Sequence, residues 1–467
     1  MREPKPLYIT DDNIGLVTDF YQLTMAAGYF QNNVNTPATF ELFVRKMPED
    51  RSFLVTAGLE QALHYLKTLR FSENAIDYIR HHPSFKRVKE EFFDYLRDFR
   101  FCGDVYAIPE GTVAFAEEPL LRVTAPMIET QLVETYLLST INFQTLIATK
   151  AARVVLAARG RDVTDFGSRR AHGPQAGVLA ARACFIGGCT STSNVLAGRE
   201  LGIPVLGTMA HSWVMAFDTE EEAFRRFYDV FPENTALLID TYDTIKGAHL
   251  AKRIDTDNQL LAVRLDSGDL LELSKEVRKI LDDDGLNHVK IMASGDLNEY
   301  LVDGLLTQGA PIDIFGVGTE MVTSRDQPAL GGIYKLVEQE RAGSAVPRMK
   351  FSEDKVFYPS RKQVHRFSDK GGTYTHDLLC LEGETSGGFP LLERVMEEGE
   401  MTMDLPDIKV LHDRAKESIS NLPSGFKDIK RTRSYTVKKS ERLQELRKNT
   451  EEELREANKP QGTTTKA

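Results

Sequence analysis

The sequence predicts an α/β protein: an irregular, TIM-like β/α barrel joined to an α+β sandwich domain built from the N-terminal and C-terminal segments. Three observations lead there. From about residue 160, short β-branched runs recur every 20 to 40 residues with helical patterns between them. Six strand-then-helix units in series favour a parallel sheet with right-handed crossovers, and their regular spacing suits a closed or nearly closed barrel. On either side of this stretch, apolar and polar residues alternate between Pro- and Gly-rich turns, as in antiparallel sheets. An open doubly wound sheet is the alternative for the middle of the chain.

Each unit follows from its own pattern. Residues 14–30, IGLVTDFYQLTMAAGYF, set apolar residues at helical spacing, with Thr18 and Asp19 as candidate caps. ATFELFVRKMP reads as a strand, helical segments follow through Arg100, and GDVYAIPEGTVAFAEEPLLRVTAP reads as antiparallel strands. Residues 1–150 are thus expected to form an N-terminal α+β domain. Residues 151–330 are assigned to the barrel, with strands RDVTDF (161–166), IPVLGT (203–208), TALLID (235–240), QLLAVRL (259–265), HVKIMAS (288–294) and IDIFGVG (312–318). Residues 331–437 return to strands (GGIYKLVE, VHRFS, HDLLCLE) and are expected to pack back on the first domain and the barrel. Residues 438–467 read as a charged helix fading into a polar tail.

Bulk properties narrow the function classes. With 467 residues, 41% hydrophobic and 27% charged, the chain has the composition of a soluble globular protein with a sizeable interior. No run reaches the length of about eighteen apolar residues that a membrane span needs. A net charge of −11, from 58 basic and 69 acidic residues, argues against a nucleic-acid surface. An anionic substrate must therefore meet a local basic site. The opening MREPKPLYITDDN has no apolar signal core, and the four cysteines (Cys102, Cys184, Cys189, Cys380) are scattered, so a cytoplasmic protein without disulfides is expected. Cys184 and Cys189 lack a second Cys/His pair at zinc spacing and read as small buried side chains.

Polar residues collect at one place in each unit, the C-terminal end of the strand or the loop after it. The clusters are Phe166 to Arg170 (FGSRR), Thr208 with His211 and Ser212 (GTMAHS), Asp240 with Asp243 (DTYD), Arg264 to Asp269 (RLDSGD), Ser294 to Asp296 (SGD) and Gly316 to Thr319 (GVGT). In a β/α barrel these ends converge on the active-site face, which would bring distant segments into one pocket. SGD and GVGT sit between strand and helix, where bare N–H groups and a helix start suit a phosphate. Arg169, Arg170 and Arg264 offer forked donors for phosphate or carboxylate. Asp266 and Asp269 can hold sugar hydroxyls or magnesium oxygens, or cap a turn. His211, with a carboxylate such as Asp240 to orient one ring nitrogen, can act as nucleophile or general base. Phe166 and Tyr21 are core aromatics by default, or rings for a flat ligand to stack on.

Taken in order, TDFYQLTMAAGY, DFGSRRAHGP, TSNVLAG, GTMAHSW, DTYDT, VRLDSGDL, ASGDLNE, FGVGT and GGIYKLV resemble the nicotinate phosphoribosyltransferase family from Leu16 to about Leu392. The resemblance implies a homodimer with shared active sites, in which nicotinate and 5-phosphoribosyl 1-pyrophosphate give nicotinate mononucleotide, with ATP coupled through a phosphohistidine at His211. It implies that Phe166, and Tyr21 from the neighbouring subunit, sandwich the pyridine; that Thr208 and Arg264 contact nicotinate; and that Arg169 meets base or phosphate. Asp266 would contact ribose, and Gly295, Gly318 and Thr319 would cradle phosphate. His211, Asp240 and Asp266 are the expected catalytic set. Mg²⁺ would arrive with the pyrophosphate donor and would have no fixed protein site. Asp165 departs from the family pattern, which often has Glu there.

The rivals are a sister enzyme using nicotinamide or quinolinate, and an inactive barrel homologue with a binding role. The TSTSN run, Thr190 to Asn194, has only uncharged polar side chains where nicotinamide enzymes place an acid, which favours nicotinate.

Overall fold

Strands from both ends of the chain interleave in one antiparallel sheet. In the computed structural model, which describes residues 7–350 and 357–458, this sheet has seven strands. Their order is Ser344–Pro347, Gly332–Arg341, Pro37–Val44, Pro119–Pro126, Asp104–Ala107, Glu393–Glu397 and Glu400–Met401. Pro37–Val44 is central, and every residue after Pro37 is buried, so the strand is largely apolar, interrupted by Thr39 and Glu41. That carboxylate is tolerated because the equally buried Lys362 ammonium lies 2.8 Å away. A second sheet, ordered Phe389–Pro390, Lys362–Ser368, Tyr374–Leu381 and Val437–Lys439, packs beside the first. Arg122 joins the two, donating to the Lys362 carbonyl at 2.9 Å.

The helix expected over residues 14–30 spans Phe20–Gln31, preceded by a short 3₁₀ turn at Ile14–Leu16. Asp19 stands at its N-cap, but its side chain does not cap; the carboxylate accepts from the Thr135 hydroxyl at 2.8 Å instead. The 25-residue helix Glu134–Ala158, about 37 Å long at the α-helical rise, carries the chain from the first unit to the parallel sheet. Its Ala148 and Ala151 admit Gly187 so closely that a Cβ there would stand 2.4 Å from the Ala148 carbonyl oxygen. Its cations are buried too. Lys150 Nζ lies 2.6 Å from Glu299 and 2.9 Å from Asp326, and Arg153 Nε lies 2.9 Å from Glu299.

The middle of the chain forms a six-stranded parallel sheet in the order Ser191–Thr192, Asp162–Asp165, Ile314–Val317, Lys290–Ala293, Ala262–Leu265 and Ala236–Leu238. Five of the six expected runs are strands in it. The last run in sequence pairs with the first, Val317 opposite Asp165, so the sheet curls back on its start. The expected closed barrel is not formed. IPVLGT contributes only a single bridge, between Val205 and Thr192, and no strand pairing joins it to Ala236–Leu238 among the described residues. Pro204 has no N–H to give a ladder, and Gly202, two residues before it at φ +70°, turns the chain.

Beyond the second sheet, Glu441–Ala457 is the charged helix expected near the C-terminus, burying only Leu443 and Thr450. The rest of the expected polar tail, residues 459–467, lies outside the described residues. Cys184 and Cys189 are fully buried. No helix among the described residues is long and apolar enough to cross a membrane.

Candidate active site

Arg264 organises the C-terminal face of the parallel sheet. It lies on strand Ala262–Leu265, all four residues of which are buried, so each guanidinium donor must find an acceptor inside the protein. Nε donates to Ser294 Oγ at 2.8 Å, Nη1 to Thr208 Oγ1 at 2.7 Å and Nη2 to Asp266 Oδ1 at 2.7 Å. One fork thus ties together three loops that are far apart in sequence. Its Cζ also stands 5.5 Å from the centroid of the Phe166 ring, a cation–π distance.

Phe166 follows strand Asp162–Asp165 and is 7% exposed. Its ring rests on Gly316 and packs with Met292, Ile314 and Leu206. Behind it, buried Asp165 accepts from Thr192 Oγ1 at 2.7 Å and from the Gly167 amide at 2.8 Å. Burial raises the Asp165 carboxyl above the usual range despite those two donors.

Two glycines bring bare backbone to this face. Gly295, at φ +96°, comes so near Asp266 that a Cβ would lie 2.3 Å from its carbonyl oxygen, so only glycine fits. Gly318 begins the short helix Thr319–Val322 and lies against the Phe166 carbonyl. Asp266, half-buried, also hydrogen-bonds Ser294 Oγ. Burial would raise its carboxyl, but the Ser294 hydroxyl, the Arg264 charge and nearby His211 hold it below the ordinary carboxylate range.

His211 opens helix His211–Met215, and its Nδ1 lies 3.1 Å from Thr241 Oγ1. The carboxylate expected to orient this ring does not do so. Asp240 Oδ2 instead accepts from the Asp266 amide at 3.0 Å and the Ser267 hydroxyl at 2.6 Å, and Oδ1 is buried without a hydrogen-bond partner. Two further aspartates of these clusters act as caps: Asp243 on Thr244–Ile254 and Asp269 on Leu270–Asp283.

The structure therefore gathers Phe166, Thr208, Arg264, Asp266, Gly295 and Gly318 around one face, with Asp240 and His211 attached through the next loop. Thr319 lies beside Gly318 at the start of its helix. Arg169 is exposed in the turn after Phe166, with no hydrogen bond or ion pair among the described residues. Tyr21 is 47% exposed on Phe20–Gln31, and within one chain no ring contact or hydrogen bond joins it to Phe166.

Sequence reasoning missed a basic cavity beside the seven-stranded sheet. Arg45, Lys335 and Lys350, with Ile333 and Phe357, line about 320 Å³, and none of the three cations has an ion pair among the described residues. Arg45 Nε is buried without an acceptor. The three cations are up to 305 positions apart, counting from Arg45 to Lys350, so no local motif marks them. The pairing of Val44 with Gly332 brings the two strand segments together.

Known proteins resemble this chain over most of its length. The nicotinate phosphoribosyltransferase N-terminal domain matches residues 16–142, the nicotinate phosphoribosyltransferase family matches 162–338, and the C-terminal domain matches 389–447. The chain is 46% identical over 434 residues to nicotinate phosphoribosyltransferase pncB2 of Mycobacterium tuberculosis, covering 92% of each chain. It is 37% identical over 486 residues to the nicotinate phosphoribosyltransferase of Bacillus subtilis, covering 96% of this chain and 98% of that one. Among solved structures, human nicotinic acid phosphoribosyltransferase superposes with a TM-score of 0.82 at 28% identity, over 92% of this chain and 99% of the human one. On these matches, the chain belongs to the nicotinate phosphoribosyltransferase family.

Proposed function

We propose that this protein transfers the phosphoribosyl group of 5-phosphoribosyl 1-pyrophosphate to nicotinate, forming nicotinate mononucleotide and pyrophosphate in cytoplasmic NAD salvage. The arrangement of Arg264 over Phe166, beside the Gly295 and Gly318 loops, is the observation that carries this reading. A flat anionic base can lie against the Phe166 ring, with its carboxylate near Arg264 and Thr208. In the reaction the bond from ribose C1 to the pyrophosphate oxygen breaks and its electron pair leaves with pyrophosphate. The pyridine nitrogen lone pair then forms the new C–N bond. Positive charge grows on the sugar, where Asp266 offers a carboxylate, and negative charge grows on the leaving group.

Mg²⁺ accompanying the donor would neutralise pyrophosphate charge. The Asp266 carboxylate and the unpartnered Asp240 Oδ1 are oxygen donors of the kind a hard cation takes. In a homodimer with shared sites, one subunit's Tyr21 would close the base pocket of the other. The irregular barrel would be completed by the loops around the gap between Val205 and Ala236 rather than by strand pairing. ATP would phosphorylate His211, whose Nε2 has no hydrogen-bond partner among the described residues, and hydrolysis of that phosphate would drive turnover by favouring one loop arrangement.

The test is to incubate the protein with nicotinate, nicotinamide or quinolinate and the activated ribose, with and without ATP. Nicotinate alone should be converted, faster with ATP. Equal turnover with nicotinamide overturns the substrate assignment.

A further inference from the structure

The His211 ring is oriented by a hydroxyl, not a carboxylate. Thr241 Oγ1 stands 3.1 Å from His211 Nδ1. The loop carrying Thr241 is pinned from the other side, because its neighbour Asp240 accepts from the Asp266 amide and the Ser267 hydroxyl. Asp266 is in turn held by Arg264 and Ser294. An unbroken series of contacts thus leads from the base-binding arginine to the imidazole, and Thr241 is its last member.

We propose that Thr241 is the positioning residue for His211: its oxygen accepts the Nδ1 proton and so presents the Nε2 lone pair outward as the nucleophile. This rests on the reading of His211 as the residue phosphorylated by ATP. The tautomer of a histidine is set by the hydrogen bond its other nitrogen makes, and a hydroxyl accepts that bond without adding charge. A carboxylate would favour the imidazolium, which has no lone pair to attack with. In the step itself the Nε2 lone pair forms a bond to the γ-phosphorus of ATP. The bond from that phosphorus to the β–γ bridging oxygen breaks, and ADP leaves with the electron pair. The ring keeps its Nδ1 proton on Thr241, so the phosphohistidine forms without a proton transfer.

Two readouts on the full-length protein separate this proposal from the reading beneath it. In ¹⁵N-histidine-labelled protein, at a pH where imidazole is neutral, the His211 signal is identified by its loss in His211→Gln. Its shifts should report the Nδ1–H tautomer in the parent. In Thr241→Val they should move toward the Nε2–H form, and in Thr241→Ser they should return. The rate of acid-labile phosphate incorporation from γ-labelled ATP should fall about tenfold in Thr241→Val, the order set by one neutral hydrogen bond, and recover in Thr241→Ser. An unchanged His211 tautomer in Thr241→Val overturns the positioning role. If the tautomer responds as stated but the parent incorporates no phosphate, the phosphohistidine reading fails and the positioning role stands.

Discussion

Gly316 lies directly beneath the ring of Phe166: a Cβ at Gly316 would stand 2.5 Å from Cδ2 and 2.6 Å from Cε2. The ring's position is thus set by a residue on the neighbouring strand that has no side chain. Gly316→Ala should push the ring out of plane with Arg264 while leaving the fold intact. The expected outcome is a loss in kcat/KM for nicotinate between about tenfold and a hundredfold, since a misplacement near 1 Å costs that much. Steady-state kinetics check it, and unchanged kcat/KM would show that the ring does not hold the base.

Arg264→Lys keeps the charge but loses the fork that reaches Ser294, Thr208 and Asp266 together. Losing two charge-assisted bonds is worth about 3 kcal/mol or more, on the order of a hundredfold in kcat/KM. Activity within threefold of the parent would contradict the organising role given to this side chain.

Glu220, at the start of helix Glu220–Tyr228, is pushed up to about 7 by burial, Asp243 and Asp240. Its folded-state value lies above the unfolded one near 4.5. Between those values the folded protein holds the extra proton, and stability falls as pH rises through the interval. Glu220→Gln should therefore stabilise the protein at pH 8 relative to the parent and make little difference at pH 4.5. The single tryptophan, Trp213, donates to the Ala223 carbonyl within that helix and gives a local fluorescence probe of unfolding. A stabilisation equal at both pH values would refute the link to ionisation.

Lys150 holds Glu299 and Asp326 in the interior where the first unit meets the parallel sheet. Lys150→Met leaves Asp326 with Arg51 and Glu299 with Arg153, yet removes one buried cation from between two carboxylates. The expected loss is about 3 kcal/mol by chemical denaturation, the lower end for a broken buried pair. Burial opposes ionisation of Glu299, but Lys150 and Arg153 outweigh it and hold its carboxyl below 4.5. Its contribution is therefore present above pH 4.5 and disappears as pH falls through the lowered value. The parent's margin over Lys150→Met should shrink in acid.

Subunit mixing tests the shared site. Tyr21→Ala and His211→Ala chains, unfolded and refolded together in equal amounts, should form mixed dimers in which one site carries both substitutions and the other neither. ATP-stimulated activity should then recover to about a quarter of the parent, from half the dimers with one intact site of two. No recovery would count against a site shared between subunits.

The sequence alone determined the strand-then-helix repeat, the placement of polar residues at strand ends and the glycines of the site, because these are written in local periodicity and short motifs. Only tertiary structure decided that IPVLGT leaves the sheet open, since ring closure depends on whether Pro204 and its neighbours find partners across a gap. It also decided that Thr241 rather than Asp240 meets His211. DTYD offers four polar side chains in a row, and the amide of Asp266 and hydroxyl of Ser267, both from another loop, claim the Asp240 carboxylate first. The cavity of Arg45, Lys335 and Lys350 was hidden for the same reason: charges that converge through strand pairing across about three hundred residues leave no mark on any one stretch of chain.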